Sequence, residues 1–143
     1  MIVTDDYEKV LALLNSIVGS KFLEVLSPTI DIGVNQVSKI PYFSPTTTEA
    51  LSSRCIDIAK SDWDNFEISW DFTAHPLLHP TAPTLAASFQ SWKTRSETAF
   101  RELQRLEEEN NRYWIDAYGL QNELTPEVPD DQITIRRADL GRD

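Results

Sequence analysis

The residues Phe89, Trp92, Ser96, Ala99, Leu103, Leu106, Asn110, Tyr113 and Ala117 alternate by three and four. That spacing keeps a single helical face in register for about four heptads, which only a long helix can satisfy. Phe100, Trp114 and Tyr118 widen the apolar stripe, so the helix is expected to pack on more than one neighbour. Ser96 and Asn110 are polar members of the seam, able either to fix its register or to weaken it. Gly119 suits a C-terminal cap, and Pro126 and Pro129 bar a quick return to helix. The pattern predicts one long C-terminal helix over about residues 86–118.

The remaining elements are shorter. Asp5-Asp6 can cap a first helix whose apolar face is Val10, Leu13, Leu14, Ile17 and Val18, with Gly19 as its stop. Between Phe22 and Phe43, β-rich runs at Thr29–Ile32 and Ile40–Phe43 are broken by Pro28, Gly33 and Pro41, which reads as short strands or extended loops. Thr46 and Glu49 stand at capping-box spacing. The helix after them carries Leu51, Cys55, Ile58 and Ala59 on one face and is expected to run to about Phe66. Pro76, Pro80 and Pro83 make Asp71–Thr84 an irregular connection, and Ile133–Ile135 reads as one more short strand. The fold class expected is α+β and helix-dominant, with about three helices and a small β-containing segment. Residues 1–45 would hold a helix plus short strands. Residues 46–143 would form a helical spacer region with the Pro-rich connection 71–84. Together they would make one folded unit of a larger protein.

A net charge of −10 over 143 residues, spread along the chain, excludes nucleic-acid binding by bulk attraction. Any DNA contact would need a local basic patch. Lys39, Arg54 and Lys60 are the candidate phosphate contacts, isolated from one another in sequence. The single cysteine, Cys55, excludes an intramolecular disulfide and suits a reducing compartment. It reads as a buried helical thiol, since no histidine shares its motif to make it a nucleophile. No apolar run reaches the roughly 18 residues of a membrane span, and MIVTDDYEKV lacks the features of a signal peptide, so a cytoplasmic protein without a membrane partner is expected.

Recognisable catalytic chemistry is missing. Asp62, Asp64, Glu67 and Asp71 are dense enough to suggest a metal or an acid–base pair. Their spacing is not that of a calcium loop, however, and Trp63, Phe66 and Trp70 between them suit packing better than a hydrated ion. Trp63, Phe66, Trp70 and Phe72 are therefore expected to anchor the irregular connection to the core, as Trp92, Tyr113 and Tyr118 anchor the long helix. His75 and His79 have the four-residue spacing of two zinc ligands on a helix, but Pro76 and Pro80 follow them and no H-E-x-x-H surrounds them. Glu107-Glu108-Glu109 reads as a solvated helix face. Phosphate-binding glycine loops and a nucleophile elbow are both lacking. No catalytic, cofactor-binding or metal residue is assigned.

Two runs carry a family likeness. Asp62-Trp63-Asp64-x-Phe66-Glu67-x-Ser69-Trp70-Asp71-Phe72, followed by His75-Pro76-Leu77, resembles a segment of PglX-type N6-adenine DNA methyltransferases. These are enzymes of BREX phage defence related to type II restriction–modification enzymes. Glu108-Glu109-Asn110-Asn111-Arg112 and Ile115-Asp116-x-Tyr118-Gly119-Leu120-Gln121-x-Glu123-Leu124-Thr125-Pro126-Glu127-Val128 resemble the family's next block. Leu13-Leu14-Asn15-Ser16, Leu26-Ser27-Pro28-Thr29 and Ile40-Pro41 resemble the stretch just after the catalytic core, where target recognition begins.

The resemblance implies a parent that uses S-adenosylmethionine to methylate an extruded adenine held by an Asn/Asp-Pro-Pro-Tyr/Phe loop. This chain has neither that loop nor the glycine-rich cofactor segment, so it is expected to be inactive alone and to space or orient DNA-recognition parts. Its partners would be DNA, through the parent, and other segments of the methyltransferase or defence components. The alternative is a stand-alone interaction module that docks or homodimerises through the heptad seam. A third reading, an acidic DNA mimic, suits the charge but not the mixed signs along the helix.

Overall fold

A computed structural model describes residues 7–27, 32–42, 48–78 and 83–138. These form α1 (Tyr7–Leu14), α2 (Ile17–Leu26), α3 (Val34–Val37), α4 (Glu49–Trp63), a 3-10 turn at Pro76–Leu78 and α5 (Leu85–Tyr118). The chain groups into two compact units, residues 1–54 with 106–127 and residues 55–105 with 128–143.

The long helix is present. α5 has 34 residues, about 50 Å of helix. It closes with a Schellman cap: Leu120 N–H donates to Ile115 O at 2.9 Å, Gly119 N–H donates to Asp116 O at 3.2 Å, and Gly119 takes φ +71°. That backbone region disfavours a Cβ, which explains the glycine.

The helix count differs from the expected three. The first apolar stripe is two helices rather than one, and Gly19 is not a stop. Ser16 breaks the stripe by acting as N-cap of α2, its Oγ accepting from Gly19 N–H at 3.1 Å and donating to Leu13 O at 2.7 Å. Gly19 then sits where α2 crosses the end of α1. A Cβ there would lie 2.1 Å from Leu13 O, so the position requires glycine for close approach. α3 is a further short helix within a stretch read as extended. α4 ends at Trp63, before Phe66. Asp5, Asp6 and Thr46 lie outside the described residues.

The β-containing segment is not borne out, for there is no strand among the described residues. Thr29–Asp31 and Phe43 lie outside them. Ile40 is buried by itself in the first core, and the carbonyl of the next residue, Pro41, accepts from the Tyr118 hydroxyl. Ile133 and Ile135 alternate inward with strand-like period two. Their segment, however, runs against side chains of α5 rather than another strand. Gln104 Nε2 donates to Val128 O at 2.8 Å, Ser96 Oγ donates to Arg136 O at 2.9 Å, and Ala138 N–H donates to Ser96 Oγ at 3.1 Å. Side-chain amide and hydroxyl groups take the place of a β ladder.

In the first unit, Ala12, Leu13, Val18, Ile40, Trp114 and Ile115 form the core, with Phe22, Tyr113 and Tyr118 packed around it. Trp114 is 0% exposed. Its indole N–H donates to Asn110 Oδ1 at 3.1 Å, while Asn110 Nδ2 donates to Ala12 O at 2.7 Å. Asn111 Oδ1 accepts from Ile17 N–H at 2.8 Å, and its Nδ2 donates to Pro126 O at 3.1 Å. The two asparagines thus satisfy the ends of α1 and α2 left open by the break between them. In the second unit, Phe89, Trp92 and Ala138 cluster with Leu77. Ser88 Oγ donates to Leu77 O at 2.8 Å and ties the 3-10 turn to α5.

Replacing Asn111 by Ala should destabilise the protein by about 1–3 kcal/mol through unmet backbone groups. Trp114→Ala should cost about 3–5 kcal/mol through its cavity. Urea unfolding followed by far-UV circular dichroism measures both.

Candidate functional site

The acidic, aromatic run after α4 forms a closed turn. Lys60 Nζ lies 2.9 Å from Asp64 Oδ2 and also meets Asp71 Oδ2, so one ammonium joins the two ends of the run. Ser69 Oγ donates to Asp64 Oδ1, and Asp71 N–H donates back to Ser69 Oγ at 3.1 Å. Backbone bonds from Phe66 N–H to Trp63 O and from Ser69 N–H to Phe66 O complete it. Asp71, then Asp64, raise the Lys60 pKa, while Ser69 and Lys60 lower that of Asp64. Burial raises the Asp62 carboxyl, opposed by Arg136. These are structural pairings, and no cluster of three or more metal-ligating side chains occurs among the described residues.

The turn corrects one expectation. Trp70 is 102% exposed and Trp63 53% exposed, so neither anchors the connection. α4 stops at Trp63, and the closure through Lys60 leaves both indoles outside the core of their unit. The anchoring contacts come from His75 instead. It packs edge-on against Trp92, with centroids 5.4 Å apart, and against Phe66 at 6.1 Å, and its Nδ1 accepts from Leu77 N–H at 3.3 Å. A histidine packed between two rings and bonded to the backbone has a structural role, and His79 lies outside the described residues. Phe72 is half-buried. Trp92 is buried, Tyr113 meets the Trp114 ring edge-on at 5.3 Å, and Tyr118 meets Phe22 at 5.3 Å.

Of the candidate phosphate contacts, Lys39 is exposed just beyond α3 and Arg54 is exposed midway along α4. Lys60 has its charge compensated by Asp64 and Asp71. Cys55 is half-buried and forms no disulfide.

Sequence reasoning missed a network in the second unit. Asp130 receives Arg137 Nη2 at 2.7 Å and Arg101 Nη1 at 3.0 Å. Glu97 Oε1 lies 3.1 Å from Arg101 Nε, and its Oε2 lies 3.0 Å from Arg137 Nε in an ion pair without hydrogen-bond alignment. Arg137, then Arg101, hold the Asp130 carboxyl below its usual range. The Arg137 guanidinium also lies 4.0 Å from the centroid of the Phe100 ring. Beside this network opens a groove of 690 Å³ lined by Phe89, Lys93, Phe100, Ile135, Arg136 and Arg137, among others. Its lining mixes carboxylates, basic groups and apolar side chains and presents no acid–base pair poised for chemistry. Glu97 and Arg101 stand four residues apart on one helix, whereas Asp130 and Arg137 reach them only through the fold.

Glu107 departs from the solvated face read for its neighbours. It is half-buried, and burial pushes its pKa from 4.5 up to about 7. A carboxyl with a raised folded pKa binds its proton more tightly when folded, so it makes stability fall as pH rises between those values. Glu107→Gln should therefore raise the melting temperature at pH 8 and change it little at pH 4, as read by thermal melts across pH. Trp70→Ala should shift stability by no more than about 0.5 kcal/mol, as for an exposed position. Trp92→Ala should cost about 3–5 kcal/mol in the same urea titration.

No family model matches the chain. An adenine-specific methyltransferase PglX of Lacticaseibacillus casei (strain Zhang) is 44% identical over 141 residues, covering 93% of this chain. An adenine-specific methyltransferase BrxX of Escherichia coli O9:H4 (strain HS) is 27% identical over 116 residues, covering 81% of it. The chain spans 12% of the length of the first relative and 10% of the second. The resemblance read from the two central motifs is borne out: along nearly its whole length, this chain is a relative of one segment of PglX adenine-specific methyltransferases.

Proposed function

We propose that this chain is a non-catalytic segment of a site-specific adenine DNA methyltransferase, belonging to a phage-defence or restriction–modification system, and that it spaces or orients the parts that recognise DNA. The observation that carries this reading is the 44% identity to PglX over 93% of the chain. The sequence contains no Asn/Asp-Pro-Pro-Tyr/Phe loop and no glycine-rich cofactor segment, so adenine chemistry and S-adenosylmethionine would belong to other parts of the parent. The segment would follow the catalytic core, in the cytoplasm, with DNA as the parent's partner. Among the described residues no helix is long and apolar enough to cross a membrane.

The physical support is the form of the segment. A 34-residue helix with a defined cap, each stretch of which has its own covering residues, suits spacing better than chemistry. Lys39, Arg54 and Lys60 are the candidates for phosphate contact, the Lys60 charge being already met by Asp64 and Asp71. The alternative, a module that docks or dimerises through the heptad seam, is disfavoured by burial of Phe89, Trp92, Leu103, Leu106 and Asn110 within their own units.

Methyl transfer from labelled S-adenosylmethionine to DNA tests the reading. The isolated chain should show none. A parent methyltransferase lacking this segment should still bind S-adenosylmethionine but lose site-specific methylation. Activity in the isolated chain, or intact site-specific methylation after the deletion, would overturn the proposal.

A further inference from the structure

The turn after α4 displays apolar side chains that its fold does not use. Trp63, Ile68 and Trp70 lie within one short stretch and are 53%, 67% and 102% exposed. Tryptophan is rarely left so open, because burying its ring is among the largest single gains in folding. The turn is also held in shape, since Lys60 joins Asp64 to Asp71 and Ser69 bridges Asp64 to the Asp71 backbone. Ile68 and Trp70 therefore sit on an ordered loop, and an ordered loop loses little entropy when something binds it.

Charge identifies the occupant. Asp57, Asp62, Asp64, Glu67 and Asp71 flank these side chains in sequence, against Lys60 within the stretch and Arg136, whose charge reaches Asp62. Glu67 and Asp71 are exposed. A nucleic-acid backbone would be repelled from such a surface, and so would a second copy of a chain of net charge −10. A cationic protein surface fits. Arginine pairs with carboxylates in a bidentate manner and stacks on indole faces, and tryptophan anchors are common at the centre of interfaces. We propose that the 64–71 turn is a docking knob for a basic, arginine-bearing protein segment, with the Trp70 indole as its anchor and Glu67 and Asp71 on its rim. The knob's exposed side chains are not members of the heptad seam, and their docking does not depend on any contact with DNA.

The test uses the chain itself with three labelled probes read by fluorescence anisotropy: a peptide of alternating arginine and leucine, a peptide of alternating glutamate and leucine, and a short DNA duplex. The arginine peptide should bind, more weakly as salt rises. Trp70→Ala should weaken it about tenfold or more. Glu67→Lys should weaken it as well, and thermal melts should show both variants folded. The glutamate peptide and the duplex should not bind. Equal affinity of the arginine peptide for Trp70→Ala would reduce the effect to bulk charge and overturn the proposal. So would failure of that peptide to bind, or duplex binding that Trp70→Ala abolishes.

Discussion

The first unit depends on two neighbouring amides. α1 and α2 meet at a sharp break, and a break between helices leaves carbonyls on one side and N–H groups on the other without partners. Asn110 takes the Ala12 carbonyl, and Asn111 takes the Ile17 N–H. Each leaves a second group to spare: Asn110 holds the indole of Trp114, and Asn111 reaches the Pro126 carbonyl beyond the helix cap. Removing either amide would strand buried polar groups, which costs more than the bond itself contributes. A leucine at the seam position of Asn110 would suit the heptad and leave the Ala12 carbonyl unsatisfied.

The second unit solves a related problem by other means. An extended segment must place its backbone groups somewhere, and here α5 supplies Ser96 and Gln104 to receive them. Ile133 and Ile135 turn inward, while the ion network of Glu97, Arg101, Asp130 and Arg137 secures the rim. Exposed ion pairs of this kind stabilise weakly one at a time, but a network shares the ordering cost among its members. Arg137 adds its contact with the Phe100 ring. Polar residues of the helix seam thus bind backbone in both units, and this explains why the seam is not purely apolar.

Legibility followed the range of the interactions. α5 was readable because its period is local and its stop, Gly119, is set by backbone conformation. Gly19 looked like the same signal but answers a close approach to Leu13, which no local pattern reveals. Ile133–Ile135 was read as a strand, but its period-two burial reports which side faces inward and not what pairs with the backbone. Trp63 and Trp70 misled for a different reason. Hydrophobicity suggests burial, but in the turn that Lys60 closes both indoles stay exposed. At the candidate site, only the density of carboxylates and aromatics was visible in the sequence. Their closure by Lys60 and the placement of His75 between Phe66 and Trp92 required the fold.

The order in which the chain visits its two units has a consequence for how such a segment can be inherited. Residues 1–54 are completed by 106–127, and residues 55–105 are completed by 128–143. Neither unit is contiguous, so no single crossover point in a gene can exchange one unit and leave the other whole. A crossover between residues 55 and 105 would give each unit parts from two parents and would separate the asparagine pair from the helix break it serves. Exchange between relatives is therefore expected to reject joints within residues 55–105, so that the two units pass between proteins together.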